Sequence, residues 1–204
     1  MAKVALNKSS LFRLRRQRQL FERFLPTLDL KRKQLIAELG KARESLKEDA
    51  AAMAALAAET AERLPMLANE QIDLSRLVVL DAARLGEVNL LGVLLPVLED
   101  VSFRVRPYSL LAKPHWVDRL VEQLKAMIAL RVRRQVNEER VRRLKQAVRR
   151  ITQRVNLFEK VLIPNAKRDI QRIELFLADA ERAGVVRSKI AKAKHRARAA
   201  EGGA

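Results

Sequence analysis

The sequence predicts a mainly α-helical protein: a long antiparallel two-helix coiled coil, formed by the N- and C-terminal helices, with a small central module of short β-strands or a hairpin. Three observations carry this. Apolar residues recur on alternating three- and four-residue steps through both ends of the chain, and glycines, prolines and β-branched residues break that rhythm in the middle. The composition, 4% aromatic with six glycines in 204 residues, suits long helices better than a compact mixed fold with many turns. The expected divisions are an N-terminal coiled-coil helix (1–75), the central module (76–113), a C-terminal coiled-coil helix (114–184) and a basic tail (185–204).

In the first arm the series runs Leu11, Leu14, Phe21, Leu25, Leu28, Leu35, Leu39, Ala42, Leu46, Met53 and Leu56, with Arg18, Arg32 and Asp49 in the remaining slots. A sustained heptad seam with charges between is a coiled-coil pattern. The helix is expected from about Ser9 to the low seventies. Pro26 removes one intrahelical hydrogen bond, but the heptad phase continues across it, so a kink and not a break is expected. Pro65 marks a second bend or an early stop.

From Leu77 to Leu111 the pattern changes. Leu77–Leu80 and Val88–Leu98 are apolar and rich in β-branched residues, and Gly86, Gly92, Pro96 and Pro107 punctuate them, which reads as short strands. A helix over 72–85 is the alternative. Helix resumes after Pro114, a residue suited to a first turn. The seam then returns at Val141, Leu144, Val148, Ile151, Val155, Phe158 and Leu162. It continues as Ala166, Ile170, Ile173, Leu177 and Ala180. The three successive steps of four from Phe158 to Ile170, around Pro164, are a change of phase, which alters the local supercoil. Gly184 is expected to end the regular seam. Beyond it lies an alanine-rich basic tail whose last residues, through Gly202 and Gly203, are expected to be disordered.

Two helices of about 60 to 70 residues would each reach roughly 90 to 100 Å at 1.5 Å per residue. Neither buries its stripe alone, so the two arms are expected to pair antiparallel, seam to seam. Both basic ends then meet, with the acidic middle at the far end. Residues 1–50 carry 13 basic and 6 acidic side chains, 51–103 carry 3 and 8, and 104–204 carry 26 and 10.

Several chemistries find no support. Cysteine is absent and the two histidines are far apart, so no metal-ligand set is evident. No GxxxxGK loop is present. His115, beside Trp116, reads as a capping or packing residue, and His195 as an exposed one. Adjacent acids such as Glu138 with Glu139, and Glu99 with Asp100, point to different sides of an element. No apolar stretch reaches the ~20 residues of a membrane span, and Met1–Ser10 lacks a signal core. The net charge of +18 raises an alternative, a basic coiled-coil nucleic-acid-binding protein using Arg15, Arg16 and Arg18 and the arginines from Arg131 to Arg154. No aromatics are interleaved with them for base stacking. An anionic-membrane-binding helix fits poorly with a regular seam.

Three segments, in order, carry a resemblance. They are Leu28-Asp29-Leu30-Lys31-Arg32-Lys33-Gln34-Leu35, Val88-Asn89-Leu90-Leu91-Gly92-Val93-Leu94-Leu95-Pro96, and Arg154-Val155-Asn156-Leu157-Phe158-Glu159-Lys160-Val161-Leu162-Ile163-Pro164, the last followed by Ile170 and Ile173. Together they resemble the D subunit family of V/A-type (bacterial, archaeal and vacuolar) rotary ATPases, over nearly the whole chain. The resemblance implies a non-catalytic central-stalk component that couples ATP hydrolysis or synthesis in an A/B hexamer to ion translocation through a membrane ring. It implies no cofactor on this chain, with ATP and Mg on partner subunits. The implied partners are the A and B subunits of the hexamer, the F subunit, and the C/d subunit that links to the membrane ring. No direct nucleic-acid contact and no membrane insertion are implied, and the place is cytoplasmic, peripheral to the membrane. On this reading Lys8, Arg13, Arg16, Arg187, Lys189 and Lys192 are candidates for the head interface. Asn89, Gly92 and Pro96 mark the central module toward the F and C/d subunits.

Overall fold

The computed structural model describes residues 5–68, 76–108 and 116–201. Helix α1 spans Lys8–Arg63, strands β1 (Val78–Leu90) and β2 (Val93–Val105) form an antiparallel hairpin, and α2 (Trp116–Leu157) leads through a π-turn at Phe158–Leu162 into α3 (Ile163–Glu201). The fold is thus mainly helical, with long N- and C-terminal helices and a two-stranded hairpin between them. The chain divides into two compact units, residues 1–30 with 152–204, and residues 31–151.

Asn7 caps α1: its Oδ1 accepts the Ser10 backbone N–H at 2.7 Å, satisfying one donor of the first turn. The helix is unbroken at Pro26. It ends at Arg63, short of the low seventies, because the proline ring of Pro65 disfavours helical geometry at Leu64; a 3₁₀ turn, Pro65–Ala68, follows. The expectations for Pro114, His115, Gly202 and Gly203 lie outside the described residues. From Trp116 to Glu201 no residue leaves a helical conformation, so the helix continues through Gly184.

In the unit of residues 1–30 and 152–204, α1 and α3 pair antiparallel. Three interhelical ion pairs establish the direction: Lys8 with Glu181 at 3.7 Å, Arg15 with Glu174 at 2.6 Å and Glu22 with Lys167 at 3.8 Å. Each step of seven residues up α1 is matched by seven down α3, the spacing of heptad positions flanking a seam. Between the helices, Val155, Ile163, Ala166, Ile170 and Ile173 are buried. Phe21 and Phe158 meet edge to face, their centroids 5.3 Å apart. The seam changes phase here by one residue, and the π-turn absorbs that residue: the Ile163 N–H reaches back five positions to the Phe158 carbonyl. Pro164, which has no N–H to give, follows directly.

In residues 31–151 the helices contribute Leu35, Leu39, Ala42, Leu144 and Ile151 as buried seam residues. At the hairpin root a core of Leu64, Leu77, Val117, Leu120 and Val121 is covered by Val78, Val105, Tyr108 and Trp116. The hairpin does not stay at that end. Its strands lie back along the helices: the Arg143 guanidinium donates to the Leu94 carbonyl at 2.9 Å, and the turn glycine Gly92 lies beside Lys31.

The strands are 13 residues each, not short, and residues 78–85 are strand, which excludes a helix there. Gly86 and Pro96 do not interrupt them. Gly86 leaves room for the Glu99 side chain, since a Cβ would meet its Oε1 at 2.2 Å. Proline is tolerated because a two-stranded ribbon has only edge strands. The reversal is at Leu91 and Gly92, with φ of 53° and 81°, a type I′ arrangement. Asn89 supports it by accepting the Gly92 N–H on Oδ1 at 2.8 Å.

Candidate functional surfaces

The basic residues singled out at the two ends of the sequence all belong to the unit of residues 1–30 and 152–204. Lys8 forms the last rung of the ion-pair series, with both partners well exposed. Arg13 and Arg16 are exposed on α1, and Arg16 lines an open groove with Arg15, Arg18 and Lys167. On α3, the Arg187 Nε donates to the Ala183 carbonyl of its own helix, and Lys189 and Lys192 are exposed beside Gly184 and Ser188. The rung at Glu181 puts the start of α1 level with this part of α3. From there to Glu201 the helix carries exposed Val185, Val186 and Ile190 among cations.

The seam candidates fall into two grades. Leu35, Leu39, Leu144, Ile151 and Val155 are buried, whereas Leu11, Leu14, Phe21, Leu28, Val148, Phe158 and Leu162 are partly covered. In a pair of helices each seam residue has one partner helix and two open flanks, so partial cover is the rule. Of the hairpin candidates, Pro96 is buried, while Asn89 and Gly92 are exposed at the turn.

Three further features lie outside the candidate sites that the sequence marks. The first centres on Asp49, 2% exposed in a seam slot. Its Oδ1 accepts the Arg133 Nε at 2.6 Å and its Oδ2 accepts the Asn137 Nδ2 at 2.6 Å, so both carboxylate oxygens are satisfied. The occupancy of a seam slot by Asp49 is the one available hint; nothing marks Asn137 as its partner. The second is an Arg142–Glu139–Arg143 group on α2. Hydrogen bonds from Arg142 and then Arg143 lower the Glu139 carboxyl to about 2. Arg143 also approaches Glu87 of the hairpin at 3.6 Å, so one side chain joins β1, β2 and α2. The third is Tyr108, whose hydroxyl donates to Asp118; that bond to the carboxylate raises the phenol above its ordinary value.

Among the described residues no group of three or more His, Asp or Glu is placed to hold a metal ion, and no helix is long and apolar enough to cross a membrane. Fold and surfaces define a helical coiled-coil protein with an inserted hairpin, displaying charged and apolar faces along its helices.

Comparison with known proteins narrows this class. A family model described as the D subunit of ATP synthase matches residues 10–193. The V-type ATP synthase D subunit of Borreliella burgdorferi is 34% identical over 192 residues, covering 94% of this chain and 95% of that protein. The proteins of the same name from Chlamydia muridarum and Chlamydia pneumoniae are 34% and 33% identical, covering 95% and 98% of this chain and 96% of each relative. The chain belongs to the D subunit family of ATP synthases.

Proposed function

We propose that this chain is the non-catalytic central shaft of a V-type rotary ATP synthase. It carries torque between an A/B hexamer, which holds ATP and Mg, and a membrane ion ring, and it works at the cytoplasmic side of the membrane without inserting. The observation that carries this reading is the antiparallel α1–α3 pairing, with interhelical ion pairs repeating every seven residues around an apolar seam. A helix pair held by a buried seam and by a row of ion pairs beside it resists sliding and unwinding, which is what torque transfer asks of it.

A two-helix shaft has unequal sides. Inside a threefold head it meets the three catalytic interfaces differently, and an angle of the shaft favours one arrangement of the head only through such differential contacts. The exposed cations Lys8, Arg13, Arg16, Arg187, Lys189 and Lys192 supply angle-dependent attraction to acidic or polar loops of the A and B subunits. The hairpin, with Asn89, Gly92 and Pro96, is the element assigned to the F and C/d subunits. Contact energy in this reading is spread over many weak pairs.

The test is reconstitution of the complex with all six cations replaced by Ala. Single-molecule rotation and ATP turnover are read together with the melting of the isolated chain. Reduced coupling with unchanged melting is expected, and unchanged torque and turnover would contradict the proposal.

A further inference from the structure

A groove lies between the end of α1, with the 3₁₀ turn that follows it, and the early turns of α2, all within the unit of residues 31–151. Two small residues leave the space. Ala57 and Ala61, one helical turn apart on α1, line it where longer side chains would fill it. Its base is firm: Leu64 and Leu120, also in the lining, are 3% and 5% exposed and belong to the buried core at the hairpin root. Met127, whose unbranched side chain adapts to irregular shapes, is part of the wall.

The groove encloses about 490 Å³, within the roughly 300–1,000 Å³ of small-molecule sites. Its lining is apolar except for Thr60 and Gln123, and neither carries a charge. The Thr60 hydroxyl donates its hydrogen to the Leu56 carbonyl at 2.7 Å, so toward any other neighbour it can only accept. Gln123 is the more telling residue. Its Oε1 is enclosed by protein yet accepts no hydrogen bond among the described residues. A carbonyl oxygen shielded from water without a donor is costly, and native structures leave few of them. The terminal amide turns about a softly hindered torsion, so a donor seated in the groove can bring that oxygen into a bond.

We propose that this groove binds a neutral small molecule with an apolar body and one hydroxyl group, which donates to Gln123 Oε1. Charged ligands are disfavoured because the lining offers no ion of opposite sign to offset their desolvation. Fatty-acid carboxylates and alkylammonium ions are thereby set aside. A molecule without a donor leaves Gln123 as it stands, so the hydroxyl is the source of selectivity; a site with a buried polar group discriminates against the analogue that cannot pair with it. A protein segment is disfavoured because an interface of ordinary size takes about 20–30 residues a side, more than line this groove. The site belongs to the chain by itself and goes beyond the shaft reading.

The experiment is an NMR titration of the full chain, isotope-labelled at its methyl groups, with p-butylphenol and with its methyl ether, p-butylanisole, which has the same body and no O–H. The phenol is expected to shift the Met127 and Leu124 methyls saturably, with a Kd at least tenfold below that of the ether. Gln123→Leu should bring the two affinities together. Ala61→Leu, which fills the groove, should weaken the phenol at least tenfold, and Ala57→Leu serves if that variant does not melt like the wild type. No saturable shift, shifts spread evenly over distant methyls, or binding indifferent to filling of the groove overturns the proposal. Equal affinities for phenol and ether in the wild type overturn it too, and mark the groove as an apolar surface of the kind a protein segment covers.

Discussion

Two regions use ionic groups in opposite ways. Along α1 and α3 the pairs Lys8–Glu181, Arg15–Glu174 and Glu22–Lys167 sit in solvent beside the seam. In residues 31–151, Asp49 sits inside the seam, 2% exposed, with its oxygens satisfied by Arg133 and Asn137. Exposed pairs are screened and each contributes little, about 0.2–1 kcal/mol. A buried carboxylate costs desolvation, and its attested benefit is to fix register and not to add stability. The rungs adjust the fit of two helices, whereas Asp49 is expected to favour the alignment that satisfies both of its oxygens.

The largest effect tests the apolar seam residues found in each region. Replacing Leu144, Ile151 and Phe158 together by Ala removes two buried residues and one aromatic contact, and should cost several kcal/mol from cavities, at about 2–5 kcal/mol for each large residue. A normal melting curve in that variant would remove these residues from the core.

Next comes Asp49→Ala. It strands the Asn137 amide, itself 8% exposed, and should cost roughly 2–3 kcal/mol. That corresponds to about 5–10 °C in melting temperature for a chain of this size. Asp49→Leu with Asn137→Leu should melt at or above the wild-type temperature while spin-label distances between α1 and α2 broaden. A sharp single distance in that variant would show that Asp49 does not set the register.

Smaller again is the removal of one rung. Arg15→Ala or Glu174→Ala should cost about 1 kcal/mol or less, and the difference from wild type should vanish in high salt, as exposed pairs do. A salt-independent loss of several kcal/mol would place the pair with Asp49 and erase the contrast.

The smallest effect is on titration. Glu139, held at about 2 by Arg142 and Arg143, has an ordinary value of 4.5. Its folded value is depressed, so its contribution is full above about 4.5 and fades as pH falls toward about 2. The carboxyl carbon shift, followed by NMR, should titrate near the lower figure and move toward the upper one in Arg142→Gln with Arg143→Gln. Titration near the ordinary value in the wild type would dissolve that group.

Much of the helical part is legible in the sequence because burial in a helix pair repeats. The slots of Leu35, Leu39, Leu144 and Ile151 follow from periodicity, as does the phase change after Phe158. The form of that change, a π-turn, is not legible, because spacing reveals an extra residue but not the hydrogen bond that absorbs it. The end of α1 at Arg63 is within reach through Pro65, a stop signal that the apolar series alone overruns. The hairpin is foreseeable but longer than its punctuation suggests: Gly86 and Pro96 look like breaks, yet one makes room for Glu99 and the other sits on an edge strand. The return of the hairpin along the helices rests on Arg143 meeting the Leu94 carbonyl, 49 residues away, and no local pattern encodes such a contact. Among the functional surfaces, the basic ends are visible as charge runs, and the partners of Asp49 are not.

In the proposed role, α1 and α3 turn as one body within the ATP synthase. The chain has no native cysteine, so Arg15→Cys with Glu174→Cys can be joined by a short bismaleimide and single-molecule rotation recorded before and after linking. Full rotation at unchanged torque after linking is the predicted result; arrest of the linked enzyme, with rotation restored by a cleavable linker, would show that the helices must move apart and would contradict the account.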